Sequence, residues 1–161
     1  YESDIRTVQS ELATFFEAFP HSTIGANTRD NQGYDMVFMG HLDPPKIDIE
    51  EVEKRLTRAD YAPVLESLRE IGVPSMESLF ATYAGRNADL GYWTAGAEIN
   101  RDKDLRLQYL AGWGINSNLA NIIYRAMLEY RRKPTDLFTG SKEKLDSLFR
   151  AMQADAVFVG D

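Results

Sequence analysis

The densest run of reactive side chains is Glu98-Ile99-Asn100-Arg101-Asp102-Lys103-Asp104-Leu105-Arg106. Glu98, Asn100, Arg101, Asp102 and Arg106 are its candidate site residues. Carboxylates, an amide and guanidiniums together can hold a polar or cationic ligand by charge-assisted hydrogen bonds. The same residue types also fasten loops, because Asn and Asp side chains reach neighbouring backbone N–H groups. That use is the commoner one. Asn100 and Asp102 are therefore expected to tie this loop to the Leu105–Trp113 stretch, with Asp102→Ala costing about 1–3 kcal/mol of stability. Other acid groups, such as Asp48, Glu50 and Glu51, fall at a helix start, where negative charge offsets the macrodipole. Tyr92, Trp93, Tyr109 and Trp113 read as core aromatics rather than as a cofactor cage.

The rest of the composition narrows the chemistry further. The 161 residues include no Cys, which removes disulfides, thiolate metal sites and a cysteine nucleophile. The two His, His21 and His41, stand in turn-like contexts without a Gly-x-Ser-x-Gly elbow. No Gly-rich phosphate or dinucleotide loop is present, so no catalytic, cofactor-binding or metal residues are assigned. Lys and Arg number 18 against 25 Asp and Glu, and 18 − 25 = −7 disfavours a nucleic-acid partner. Arg131-Arg132-Lys133 is an example of a local basic patch set against that balance. No apolar run reaches the ~18 residues of a membrane-spanning helix, and no signal peptide is visible. A chain opening on Tyr1 directly in a helical pattern reads as a piece of a longer polypeptide.

The elements that must position these residues follow from periodicity. Ile5, Val8, Leu12, Phe15, Phe16 and Phe19 form one helical stripe over 4–19, closed by Pro20. Residues 22–28 and 34–40 read as an antiparallel hairpin on which Ile5, Leu12 and Phe16 pack. The second run is apolar on both faces, which predicts a strand covered on both sides. After Pro44 and Pro45 only helices are expected. One starts at Asp48 and carries Ile49, Val52 and Leu56. The next starts at Asp60, with Val64, Leu65, Leu68 and Ile71 facing inward. A third runs from Ser75 through Tyr83. After an irregular stretch over 86–116, a helix follows Ser117 with Leu119, Ile122, Ile123, Ala126, Met127 and Tyr130, and the last starts at Ser141.

The order of these segments resembles the distal part of the spermidine/spermine synthase family, in particular bacterial members fused to a membrane segment. The resemblance rests on Tyr1 to Pro20, Gly33 to Gly40, Ser67 to Gly72, and Gly96-Ala97-Glu98-Ile99-Asn100-Arg101-Asp102 with Leu107-Gln108-Tyr109. The last pair is similar to an Ile-Asn-Thr-Asp … Leu-Glu-Tyr stretch of the family. The match covers residues 1–110, and 111–161 resemble an added helical tail. Where ordinary members carry a Tyr-Pro-Ser-Gly-like segment beside the polyamine site, this chain has His21-Ser22-Thr23-Ile24-Gly25.

The resemblance implies an α-rich α/β fold. Residues 1–43, a helix plus an antiparallel hairpin, would form the distal edge of a Rossmann-like aminopropyltransferase/methyltransferase sheet, and 44–161 a helical C-terminal extension. It implies a parent transferase that moves an aminopropyl group from decarboxylated S-adenosylmethionine to a polyamine. The donor-binding and catalytic motifs of that family lie upstream of the matching region, so this chain alone is expected to be inactive and to hold no cofactor. Its implied partner is the upstream catalytic half of the same polypeptide, with homo-oligomer contacts left open, and neither nucleic acid nor membrane insertion. Its implied location is the cytoplasm, with a tether through an upstream membrane segment. The competing readings are a helical protein-interaction module and an independent enzyme using Asn100 and Asp102 on a cationic amine.

Overall fold

The computed structural model describes residues 4–29, 32–114, 118–154 and 158–160. The first apolar stripe becomes helix α1 (Ile5–Ala18), capped by Asp4, whose carboxylate accepts the N–H groups of Arg6 at 2.7 Å and Thr7 at 3.1 Å. Leu12 and Phe16 are buried in the core, as their spacing requires. Ile5 is not: it lies in the first turn, 39% exposed, at the open end of the helix.

Strands β1 (Thr23–Arg29) and β2 (Gln32–Met39) pair antiparallel from Thr23↔Met39 to Asn27↔Asp35, with a register shift between Asn27 and Thr28. Strand alternation sends Ile24 and Ala26, with Met36 and Phe38, toward α1 and helix α7 (Ala120–Leu128). Val37 and Met39 point the other way, 55% and 47% exposed. The expectation that β2 is covered on both faces is therefore corrected. Among the described residues it forms the edge of the sheet, and its second apolar face meets solvent.

The stretch after Pro45 is not helical throughout. Strands β3 (Ile47–Asp48) and β5 (Phe138–Thr139) form a short parallel pair, and β4 (Tyr83–Arg86) joins β1 in the order β2-β1-β4. The helix opened by Ser75, α4 (Met76–Phe80), stops before Tyr83. Its continuation is drawn off by unpaired backbone on the far side of β1, where the Ala26 N–H donates to the Thr82 carbonyl at 2.7 Å. Gly85 sits at φ +149°, and an added Cβ would lie 3.0 Å from Leu90, so the turn from β4 into α5 (Asn87–Leu90) needs glycine.

The other helices are α2 (Ile49–Leu56), α3 (Ala62–Glu70), α6 (Arg106–Trp113) and α8 (Lys142–Met152). Asp48 caps α2 as its position suggests, accepting from Glu50 and Glu51. Helix α3 departs from expectation. None of its residues is buried, and Val64 and Ile71 are 46% and 74% exposed rather than inward. In α7, Ile123 and Met127 are buried while Ile122 is exposed, as is Tyr130 just beyond the helix.

Two cores result. One joins Leu12, Phe16, Ile24 and Ala26 to Ala84, Leu90, Trp93, Ile123 and Met127, so it draws on both sides of residue 43. The other gathers Ile49, Met76, Leu137, Phe138, Leu148, Phe149, Met152 and Phe158 around Tyr83. Adjacent residues of β4 serve different cores, because Tyr83 and Ala84 leave the strand on opposite faces.

Candidate functional site

The polar cluster 98–106 lies along α1, and the helix holds it by a series of hydrogen bonds. Gln9 Nε2 donates to the Trp93 carbonyl at 2.7 Å, and the Ser10 hydroxyl donates to the Glu98 carbonyl. Thr14 Oγ1 accepts the Asn100 N–H at 2.9 Å, and Glu17 pairs with the Arg101 guanidinium at 2.6 Å. These four α1 residues share one face at helical spacing, which is why one irregular loop can follow the helix. Each candidate residue thus has a definite place. Asn100 Oδ1 accepts the Leu107 N–H at 2.9 Å and closes the first turn of α6. The Arg101 N–H donates to Asp104 Oδ1 at 3.0 Å, and Arg106 pairs with Glu98.

Asp102 is the exception. It is exposed, and it makes no hydrogen bond or ion pair among the described residues. The fastening role expected of it belongs to Asn100 and Asp104, because those side chains reach orphan N–H groups at a helix start and a turn. Nor do the aromatics act as a set. Trp93 is buried at 7% exposure, whereas Tyr92 and Tyr109 are open to solvent, and the Trp113 side chain lies outside the described residues.

Beside this seam lies a cavity of about 300 Å³, lined by Arg6, Gln9 and Ser10 of α1, residues 95–98, and Arg106 and Leu110 of α6. Glu98 and Arg106 neutralise each other there, while Arg6 has no ion-pair partner among the described residues. Sequence reading named the loop side of this cavity but not Arg6, Gln9 or Ser10. Their signal, polar residues on the α1 face flanking an apolar stripe, is that of any solvated helix face.

A second polar network was not anticipated. The Tyr83 hydroxyl donates to Asp89 at 3.0 Å, and Arg86 lies 3.6 Å from Asp89 and 2.8 Å from Asp136. Burial raises the Asp89 carboxyl above the ordinary carboxylate range, with Arg86 opposing the shift. Tyr83 is pushed well above the ordinary phenol range by burial and then by the Asp89 charge. Such a phenol holds its proton through the physiological range, so the pair is a hydrogen-bonded strut rather than an acid–base couple. Nearby, Arg131 is 2% exposed and donates to the carbonyls of Tyr83 at 3.0 Å and Met152 at 2.8 Å. Lys133 lies 5.2 Å from the Phe149 ring. The supposed basic patch 131–133 is therefore corrected: its first charge is inside the protein.

His21 and His41 are joined only through backbone, the His21 N–H donating to the His41 carbonyl at 3.3 Å. Among the described residues no group of three or more His, Asp or Glu could hold a metal ion, and no helix is long and apolar enough to cross a membrane. No family model, curated protein or solved structure matches the chain.

Proposed function

We propose that this chain is the carboxy-terminal part of a spermidine synthase-like protein, closing one edge of the parent's α/β sheet and carrying no complete catalytic site. The observation supporting the reading is the state of β2, an eight-residue strand with one edge unpaired among the described residues and Val37 and Met39 bare on its outer face. Long apolar edges left open invite further strand pairing, and folded proteins cover or blunt them. A Rossmann-like sheet continued on that side would satisfy both the backbone groups and the exposed apolar face. The competing amine-acting enzyme loses support because the side-chain oxygen of Asn100, one of its two key residues, already accepts the Leu107 N–H of α6. The interaction-module reading draws on α3, where Val64 and, just past the helix end, Ile71 remain uncovered.

The absence of Cys makes a direct test available, since Val37→Cys introduces a unique thiol. In the isolated chain that thiol should react readily with a maleimide. In the polypeptide as its gene encodes it, the thiol should be protected. Equal reactivity in both overturns the reading. The isolated chain should also show no saturable heat with S-adenosylmethionine or its decarboxylated form, because group transfer requires a donor held against its acceptor. Micromolar binding of either would contradict the proposal.

A further inference from the structure

We infer that the cavity between α1, the 95–98 loop and α6 is a binding site for a small organic monocarboxylate, held by Arg6 and Arg106 against an apolar wall. The inference stands on the cavity itself and does not depend on the proposed parent enzyme. Charge selects the ligand class first. Among the described lining residues Arg6 and Arg106 contribute +2 and Glu98 −1, so 2 − 1 = +1 remains before a ligand enters. A single negative charge balances it. A dianion would leave one charge unmatched.

Geometry selects next. A guanidinium presents a planar fork of donors suited to a carboxylate, and Arg6 has that fork unengaged among the described residues. The other polar groups are partly committed, Gln9 to the Trp93 carbonyl and Ser10 to the Glu98 carbonyl, which pre-organises the wall without neutralising Arg6. Ala95, Ala97 and Leu110 supply apolar surface for the body of the ligand. About 300 Å³ is the lower end of small-molecule sites, enough for a ring or short chain bearing one carboxylate. The chain's net charge of −7 opposes attraction of an anion at long range. Beyond about 8 Å that repulsion is screened at physiological salt, so the two arginines decide binding inside the cavity.

Benzoate is a suitable probe, titrated into the full chain and followed by ligand-observed NMR, with benzyl alcohol as its neutral counterpart. Saturable binding at roughly millimolar affinity is expected. Benzyl alcohol and inorganic phosphate should each bind at least about tenfold more weakly. Arg6→Gln, at an exposed position where the fold does not depend on the charge, should weaken benzoate by about tenfold. Arg106→Gln also breaks the Glu98 pair and can loosen α6. Ala97→Leu therefore provides the second variant, blocking the cavity while leaving its charge alone, and should abolish binding with the circular dichroism unchanged. Absence of saturation, equal affinity in Arg6→Gln or Ala97→Leu, or phosphate binding as tightly as benzoate would each overturn the assignment.

Discussion

The side-chain amide of Asn100 closes the amino end of α6, while Asp102, two positions on, faces water. Asn100→Ala leaves the Leu107 N–H without its acceptor and should lower stability by about 1–2 kcal/mol in urea unfolding. Asp102→Ala should stay within about 0.5 kcal/mol of the parent. Asp89 carries the pH prediction. Its carboxyl, 4% exposed, is raised mainly by desolvation, so between the ordinary and the raised value the folded state binds more protons than the unfolded one. The slope of unfolding free energy with pH is then negative for this group. Its contribution is most favourable below the ordinary carboxylate range and is lost as pH rises through the raised value. Asp89→Asn keeps an acceptor for Tyr83 and removes that titration. Relative to the parent, the variant should gain stability as pH rises from the ordinary carboxylate value through the raised one, and a flat difference would show that Arg86 compensates burial fully.

At the scale of elements, close approach matters as much as periodicity. Gly140 lies between β5 and α8 at φ +153°, and a Cβ there would fall 2.6 Å from Cγ1 of Ile49, a fully buried residue at the head of α2. Gly140→Ala combines backbone strain with an overlap that a packed core does not absorb freely. A loss of about 1–3 kcal/mol is expected in thermal or urea melts. The helices differ widely in how far tertiary contacts support them. Helix α1 buries Leu12 and Phe16 and anchors the 93–101 loop through Gln9, Ser10, Thr14 and Glu17, whereas α3 buries nothing. Amide exchange should therefore be slowest in the middle of α1 and β1 and fastest in α3, since local opening follows burial.

Across the whole molecule, Arg131 joins parts that are distant in sequence. It reaches β4 through the Tyr83 carbonyl and the end of α8 through the Met152 carbonyl, with its guanidinium carbon 4.7 Å from the Phe158 ring centroid. Arg131→Met retains apolar bulk but strands two buried carbonyls. At about 1–3 kcal/mol for each unpaired group, the loss should be about 2–6 kcal/mol. Arg131→Lys should recover little, because one ammonium on a flexible stem does not reproduce a fork that bonds two carbonyls in different directions. Refolding yield and urea midpoint of both variants check this.

What the sequence determined by itself was local. Asp4, Asp48 and Ser75 cap helices because a short side-chain oxygen beside an apolar repeat has few other backbone partners. The hairpin was legible because alternation and a polar turn act over neighbouring residues. The candidate cluster was legible only as a list of side chains. In the folded chain the Asn100 side-chain oxygen accepts the Leu107 N–H of α6, while its backbone N–H is held by Thr14 of α1, more than eighty positions earlier in the chain. The same holds for β4: Tyr83 reads locally as the last residue of the Ser75 helix, and Tyr83 to Arg86 become a strand because β1 offers unpaired backbone and Gly85 can take the required turn. Arg131 reads as a surface charge in any one-dimensional view. Its burial is decided by two carbonyls and a ring that only folding brings together, since long-range partners leave no periodic trace around the residue they surround.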